Sequence, residues 1–169
     1  LAEYVGNNTQ RAVQEIIKLL TYVNYARPVD DDDVRRLTTQ EHQSDIFDLV
    51  DAIGARDGGE AIELLHRILE ESEIGPVFGM IVRQFRLLLG AREIIDEGGD
   101  ESQVAKKLGQ HGFVARKISK QTRHFSLPEL EAIYHLLQEI DVAMKTSGMD
   151  GEIALDVFIT RVSKNRVEV

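Results

Sequence analysis

Apolar residues recur every three or four positions through most of the chain, the spacing that gathers them on one face of an α-helix. Ala12, Val13, Ile16, Ile17, Leu19, Leu20 and Val23 form the first such stripe. It is entered through Gly6-Asn7-Asn8-Thr9, where Asn8 or Thr9 serves as cap, and is stopped by Pro28. Leu1-Ala2-Glu3-Tyr4-Val5 reads as the interior of an earlier helix without a cap of its own, which predicts that a preceding part has been cut away. Asp30, Asp31, Asp32 and Asp33 directly precede Val34-Arg35-Arg36-Leu37 and predict an N-cap and first helical turn, where carboxylates complement unpaired N–H groups and the helix dipole. A metal cluster is the lesser reading of these acids, because consecutive residues on a helix diverge rather than converge on one ion.

The periodicity lapses over residues 38–44, which marks them as a linker, with a second part beginning near Gln43 and Ser44 capping the helix that carries Ile46, Phe47, Leu49, Val50 and Ile53. Asp57-Gly58-Gly59 predicts a turn into a stripe of Ala61, Ile62, Leu64, Leu65, Ile68 and Leu69, so the two helices form a hairpin. After Ile74-Gly75-Pro76 a long helix carries Ile81, Phe85, Leu88, Leu89 and Ile95 and is ended by Gly98-Gly99. Two short helices flank Gly109-Gln110-His111-Gly112. Ser126-Leu127-Pro128-Glu129 has the form of a capping box with proline in the first turn and opens a helix to about Thr146. Gly148-Met149-Asp150-Gly151 separates it from a last helix over residues 153–162. The prediction is an all-α protein in two parts, residues 1–42 and 43–169.

Composition supports this reading. Three prolines, six phenylalanines, four tyrosines and no tryptophan leave little that favours sheet, and 43% apolar residues suffice for a core. Without cysteine there is neither a disulfide framework nor a thiolate metal site, which suits a reducing cytoplasm as the expected location. No run of roughly 20 continuous apolar residues and no signal peptide is recognised, so no membrane partner is expected.

The net charge of −9 opposes general binding to phosphate backbones. Its distribution changes that picture. Residues 28–75 carry 14 acids against 4 bases, whereas residues 101–125 carry 1 acid, Glu101, against 6 bases: Lys106, Lys107, Arg116, Lys117, Lys120 and Arg123. Ala105, Gly109 and Ile118 also fall where a helix-turn-helix places its small packing residue, turn glycine and core contact. A DNA-binding module over residues 102–121 is therefore the alternative function. A basic solvated face, or one that docks on acidic surface, is the blander and favoured reading.

No phosphate-cradling glycine loop, nucleophile elbow, paired-histidine zinc motif or calcium loop is recognised, so no catalytic, cofactor or metal residues are assigned. His42, His66, His111, His124 and His135 are scattered, and Glu131 with His135 reads as a surface pair. Arg83-Gln84-Phe85-Arg86 sets two arginines beside an aromatic in an otherwise apolar helix, and Asp141 with Lys145 stands at i, i+4. Guanidinium groups fork onto carbonyls and carboxylates, so Arg83 and Arg86, with Phe47 and Phe85, are candidate anchors of a subunit interface. Core packing is the plainer role for both phenylalanines.

The succession Gly6-Asn7-Asn8-Thr9-Gln10-Arg11-Ala12-Val13-Gln14-Glu15-Ile16-Ile17-Lys18-Leu19, then Asp33-Val34, Asp45-Ile46-Phe47-Asp48-Leu49-Val50-Asp51-Ala52, Arg83-Gln84-Phe85-Arg86-Leu87-Leu88 and finally Asp141 with Lys145, resembles the bacterial DNA polymerase III delta subunit. The order and separation of these segments across nearly the whole chain carry the resemblance. It implies that residues 1–42 are most of the lid of an AAA+ module and residues 43–169 a helical collar through which clamp-loader subunits form a ring. The implied partners are delta-prime and gamma/tau, the sliding clamp through an N-terminal domain outside this chain, and primer-template DNA as part of the complex. The implied role is non-catalytic. In active AAA+ ATPases an arginine of the lid helix touches the nucleotide phosphates, and Gln10 stands at the position that aligns with it. An uncharged amide cannot neutralise developing phosphate charge, which implies a subunit that neither binds ATP tightly nor hydrolyses it. A helical adaptor of another pathway is the remaining alternative.

Overall fold

In a computed structural model, residues 9–164 are described. Leu1 to Val5 and the Gly6-Asn7-Asn8 turn lie outside them, as does the side chain of Gln10. Among the described residues eight α-helices follow in order: α1 Thr9–Tyr22, α2 Asp31–Gly54, α3 Gly58–Leu69, α4 Ile74–Asp96, α5 Glu101–Leu108, α6 Gly112–Gln121, α7 Leu127–Thr146 and α8 Gly151–Ser163, with a 3₁₀ turn at Thr122–His124 before α7. Among the described residues there is no strand.

The helix starts follow the chemistry read from the sequence. Asp30 is the N-cap of α2 and forms a reciprocal capping box with Asp33, whose carboxylate returns to the Asp30 N–H at 3.1 Å. The acids of this segment thus begin a helix. Asp33 is further held by a two-pronged guanidinium contact from Arg27, at 2.6 and 2.7 Å. Ser126 and Glu129 form the expected capping box of α7, with proline in its first turn. Gly109 ends α5 in the left-handed region, at φ 62°, and Gly98 turns the chain after α4 at φ 85°.

Two expectations are corrected. Residues 38–44 are not a linker and Ser44 is not a cap, since α2 runs unbroken from Asp31 to Gly54. The polar run contains neither glycine nor proline, so nothing in the backbone interrupts the helix where the apolar stripe lapses. The turn between α2 and α3 is made by Arg56, not by Gly58 and Gly59, which lie within α3. Arg56 adopts φ 65°, a conformation that costs a side chain about 1–2 kcal/mol and needs compensation from its contacts. Gly58 is explained by packing: a Cβ there would stand 3.1 Å from that of Ser163 at the end of α8.

One continuous core, from Ile46 to Val162, occupies the space between α2, α3, α4, α6, α7 and α8. α4 runs through its middle, burying Val77, Phe78, Ile81, Phe85, Leu87, Leu88, Ala91 and Ile94. Phe85 meets Phe125 and Phe158 edge to face, each with ring centres 5.9 Å away. By length and composition alone α4 is apolar enough to cross a membrane, but Arg83, Gln84 and Arg86 interrupt its apolar run and its contacts explain that character as core packing. Leu19 of α1 and Val23 just after that helix are buried outside this core cluster. α1 also exposes Val13, Ile16, Ile17 and Tyr22.

Candidate interaction surfaces

Gln84, inside the Arg83-Gln84-Phe85-Arg86 motif, explains part of that motif's pattern. Its side-chain amide donates to Gln121 Oε1 at 2.7 Å, and Gln121 Nε2 donates to the Phe47 carbonyl at 2.8 Å and to Asp51 Oδ1 at 2.9 Å. Both glutamines are 3% exposed. A buried amide left without partners is costly, so this chain of hydrogen bonds fixes how α2, α4 and α6 are placed along one another. Sequence spacing gave no sign of it, because its members lie 37 and 70 or more positions apart.

The four residues expected at a subunit interface divide. Phe47 and Phe85 are 3% and 0% exposed and belong to the core, where a ring gains most by leaving water, so neither can anchor a partner. Arg83 and Arg86 are exposed to solvent in part or in full, and neither forms an ion pair among the described residues. They continue a face of α4 on which Gly75, Gly79 and Val82 line a groove of about 940 Å³ against Tyr134, Gln138 and Val142 of α7. Positions 75, 79, 82 and 86 share one side of the helix. A Cβ built at Gly75 or Gly79 meets nothing within 4 Å, so these glycines leave the groove open. Its floor is apolar, from Phe78 and Leu137, and its rim carries the Asp141–Lys145 pair at 2.7 Å, formed as the i, i+4 spacing predicts. Val142, on the rim, is 58% exposed.

The six basic residues also separate by partner. Lys107 approaches Glu97 at 3.7 Å and Arg116 approaches Glu101 at 3.5 Å, both loose and exposed pairs. Lys117 places its ammonium over the Phe47 ring at 5.0 Å and over the Phe113 ring at 5.6 Å. Lys106, Lys120 and Arg123 are exposed without an ion pair among the described residues. Gly109 turns the chain between α5 and α6, and α6 packs Ala115, Ile118 and Ser119 inward.

Two contacts were invisible to the sequence. Arg56 reaches Glu129 at 2.6 Å and the Val162 carbonyl at 3.0 Å, joining the α2–α3 turn to the start of α7 and the end of α8. Burial raises the Glu129 carboxyl, but hydrogen bonds from the Ser126 N–H and hydroxyl and the nearby Arg56 charge leave it below the usual range. His66 Nε2 meets Asp156 Oδ1 at 2.9 Å between α3 and α8. Among the described residues no group of three or more acids and histidines is set to hold a metal ion. Glu131 and His135 are both exposed.

Comparison with known proteins sets these surfaces in a family. The profile of the DNA polymerase III delta subunit, C-terminal domain, matches residues 43–162. The DNA polymerase III subunit delta of Bacillus subtilis is 29% identical over 161 residues, covering 95% of this chain and 46% of that protein. The solved Bacillus subtilis DNA clamp loader delta protein (YqeN) superposes with a TM-score of 0.72 at 29% identity, over 96% of this chain and 48% of the other. The chain thus spans about half the length of the relatives it matches. With the profile matching most of the chain and the superposition in agreement, the chain belongs to the family formed by the C-terminal domain of the DNA polymerase III delta subunit.

Proposed function

We propose that this chain is the lid and collar of a delta-like subunit, residues 1–42 being the lid and 43–169 the collar, and that it holds the subunit in the clamp-loader ring. The observation that carries this reading is likeness to a clamp loader delta protein over almost the entire chain rather than over one helical pair. The profile beginning at residue 43 and the separate burial of Leu19 and Val23 support the division into two parts. The role is one of assembly in the cytoplasm, without catalysis or a cofactor of its own. Its partners are delta-prime and gamma/tau, with the sliding clamp and primer-template DNA engaged by the complex. The α4–α7 groove and the solvent-facing Arg83 and Arg86 supply the contact face: an apolar channel with an arginine edge suits a helix of a neighbouring protein in the ring.

The test changes the groove without weakening the fold. Gly79→Leu fills open space and removes a glycine from a helix interior, so it should leave stability unchanged or raise it by up to about 1 kcal/mol. Together with Arg86→Glu it should weaken capture of the chain by purified delta-prime and gamma/tau. Undiminished capture by both variants would remove this face from the interface.

A further inference from the structure

We propose that the outward face of α6 is a binding site for single-stranded nucleic acid, with Phe113 stacking on a base and Arg116, Lys117 and Lys120 meeting successive phosphates. Positions 113, 116, 117 and 120 lie on one side of α6, while Ala115, Ile118, Ser119 and Gln121 are buried on the other. The stripe is therefore rigidly backed by the core and by the glutamine chain.

Phe113 carries the choice of partner. Its ring is 64% exposed, and the Lys117 ammonium lies 5.6 Å from its centre, so a large apolar side chain is held at the surface inside a cationic stripe. An aromatic ring beside basic groups is the arrangement that receives an unpaired base and its backbone, since every base has a face to stack. An acidic protein segment would use the cations but not the ring. A duplex fits less well. α6 has ten residues and is about 15 Å long, and the bases of a duplex, stacked on one another, offer the Phe113 ring no open face. Lys107 and Arg116 approach Glu97 and Glu101. Both of those pairs are exposed and screened, so phosphate can displace them.

The inference goes beyond ring assembly and is tested apart from it, by fluorescence anisotropy of the full 169-residue chain with a labelled oligothymidylate of about 16 nucleotides. Binding should weaken with salt at a slope of roughly −2 in log K against log salt, as expected for three phosphate contacts on a single strand. Arg116→Gln with Lys120→Gln should make the slope shallower by about 1.4. Phe113→Ala should weaken binding about 5- to 100-fold while leaving the slope unchanged. Circular dichroism melts check that the variants fold, as the exposure of all three side chains predicts. A duplex of equal length and polyglutamate should compete poorly. No binding at low salt, indifference to Phe113→Ala, or equal competition by polyglutamate or duplex would each overturn the proposal.

Discussion

Replacing Gln121 by leucine should destabilise the protein far more than its small size suggests, and replacing Gln84 as well should return part of the loss. Gln121→Leu removes a bond to the Asp51 carboxylate and one to the Phe47 carbonyl, and it leaves the Gln84 amide buried without its partner. A hydrogen bond to a charged group contributes about 1.5–3 kcal/mol, a neutral one about 1, and a buried orphan costs about 1–3, so the single change should cost roughly 3.5–7 kcal/mol. Gln84→Leu removes one bond and leaves Gln121 with two of its three, for a cost of about 1–3 kcal/mol. In the double variant the orphaned amide is gone, and its cost should fall below the sum of the singles by about 1–3 kcal/mol. Urea unfolding followed by circular dichroism gives the three differences, provided the slope against denaturant is unchanged. Additivity to within about 0.5 kcal/mol would show that the two amides act independently and refute the network.

Two further outcomes follow from the local chemistry. Asp33, drawn down to about 2 from 3.8 chiefly by its hydrogen bonds to Arg27 against an opposing effect of burial, contributes stability that is present above its unfolded value and lost as pH falls through the folded one. Melts should therefore place Asp33→Asn below the wild type at neutral pH and bring the two together as the pH approaches about 2; a gap that persists in acid would deny the charge its role. Arg56→Ala should cost about 1–3 kcal/mol through loss of the Glu129 and Val162 contacts, and Arg56→Gly about 1 less, because glycine accepts φ 65° without strain. Equal melting temperatures for the alanine and glycine variants would show that the turn stores no strain.

How much of this was legible in the sequence depended on whether the signal was local. Helix starts at Asp30 and Ser126 rest on side chains three positions from their targets, so spacing sufficed. The unbroken course of α2 was hidden because a lapse in apolar periodicity does not by itself end a helical backbone, which only glycine, proline or a cap would have signalled. Arg56 as a left-handed turn residue was unreadable, since its compensation comes from Glu129 and Val162, 73 and 106 positions away. Of the four candidate anchor residues, the solvent exposure of Arg83 and Arg86 follows from charge, but Phe47 and Phe85 needed the packed core to show that they face inward. The groove was hidden because Gly75 and Gly79 look like helix defects in a sequence and become a surface only beside α7.

The central claim, that this chain is an assembly unit of the clamp loader, is tested most directly by analytical ultracentrifugation of the chain with purified delta-prime and gamma/tau in the absence of ATP. The account predicts a discrete complex containing the chain, weakened by Gly79→Leu and Arg86→Glu while both variants stay folded. A chain that sediments alone as a folded monomer beside its intended partners would contradict it.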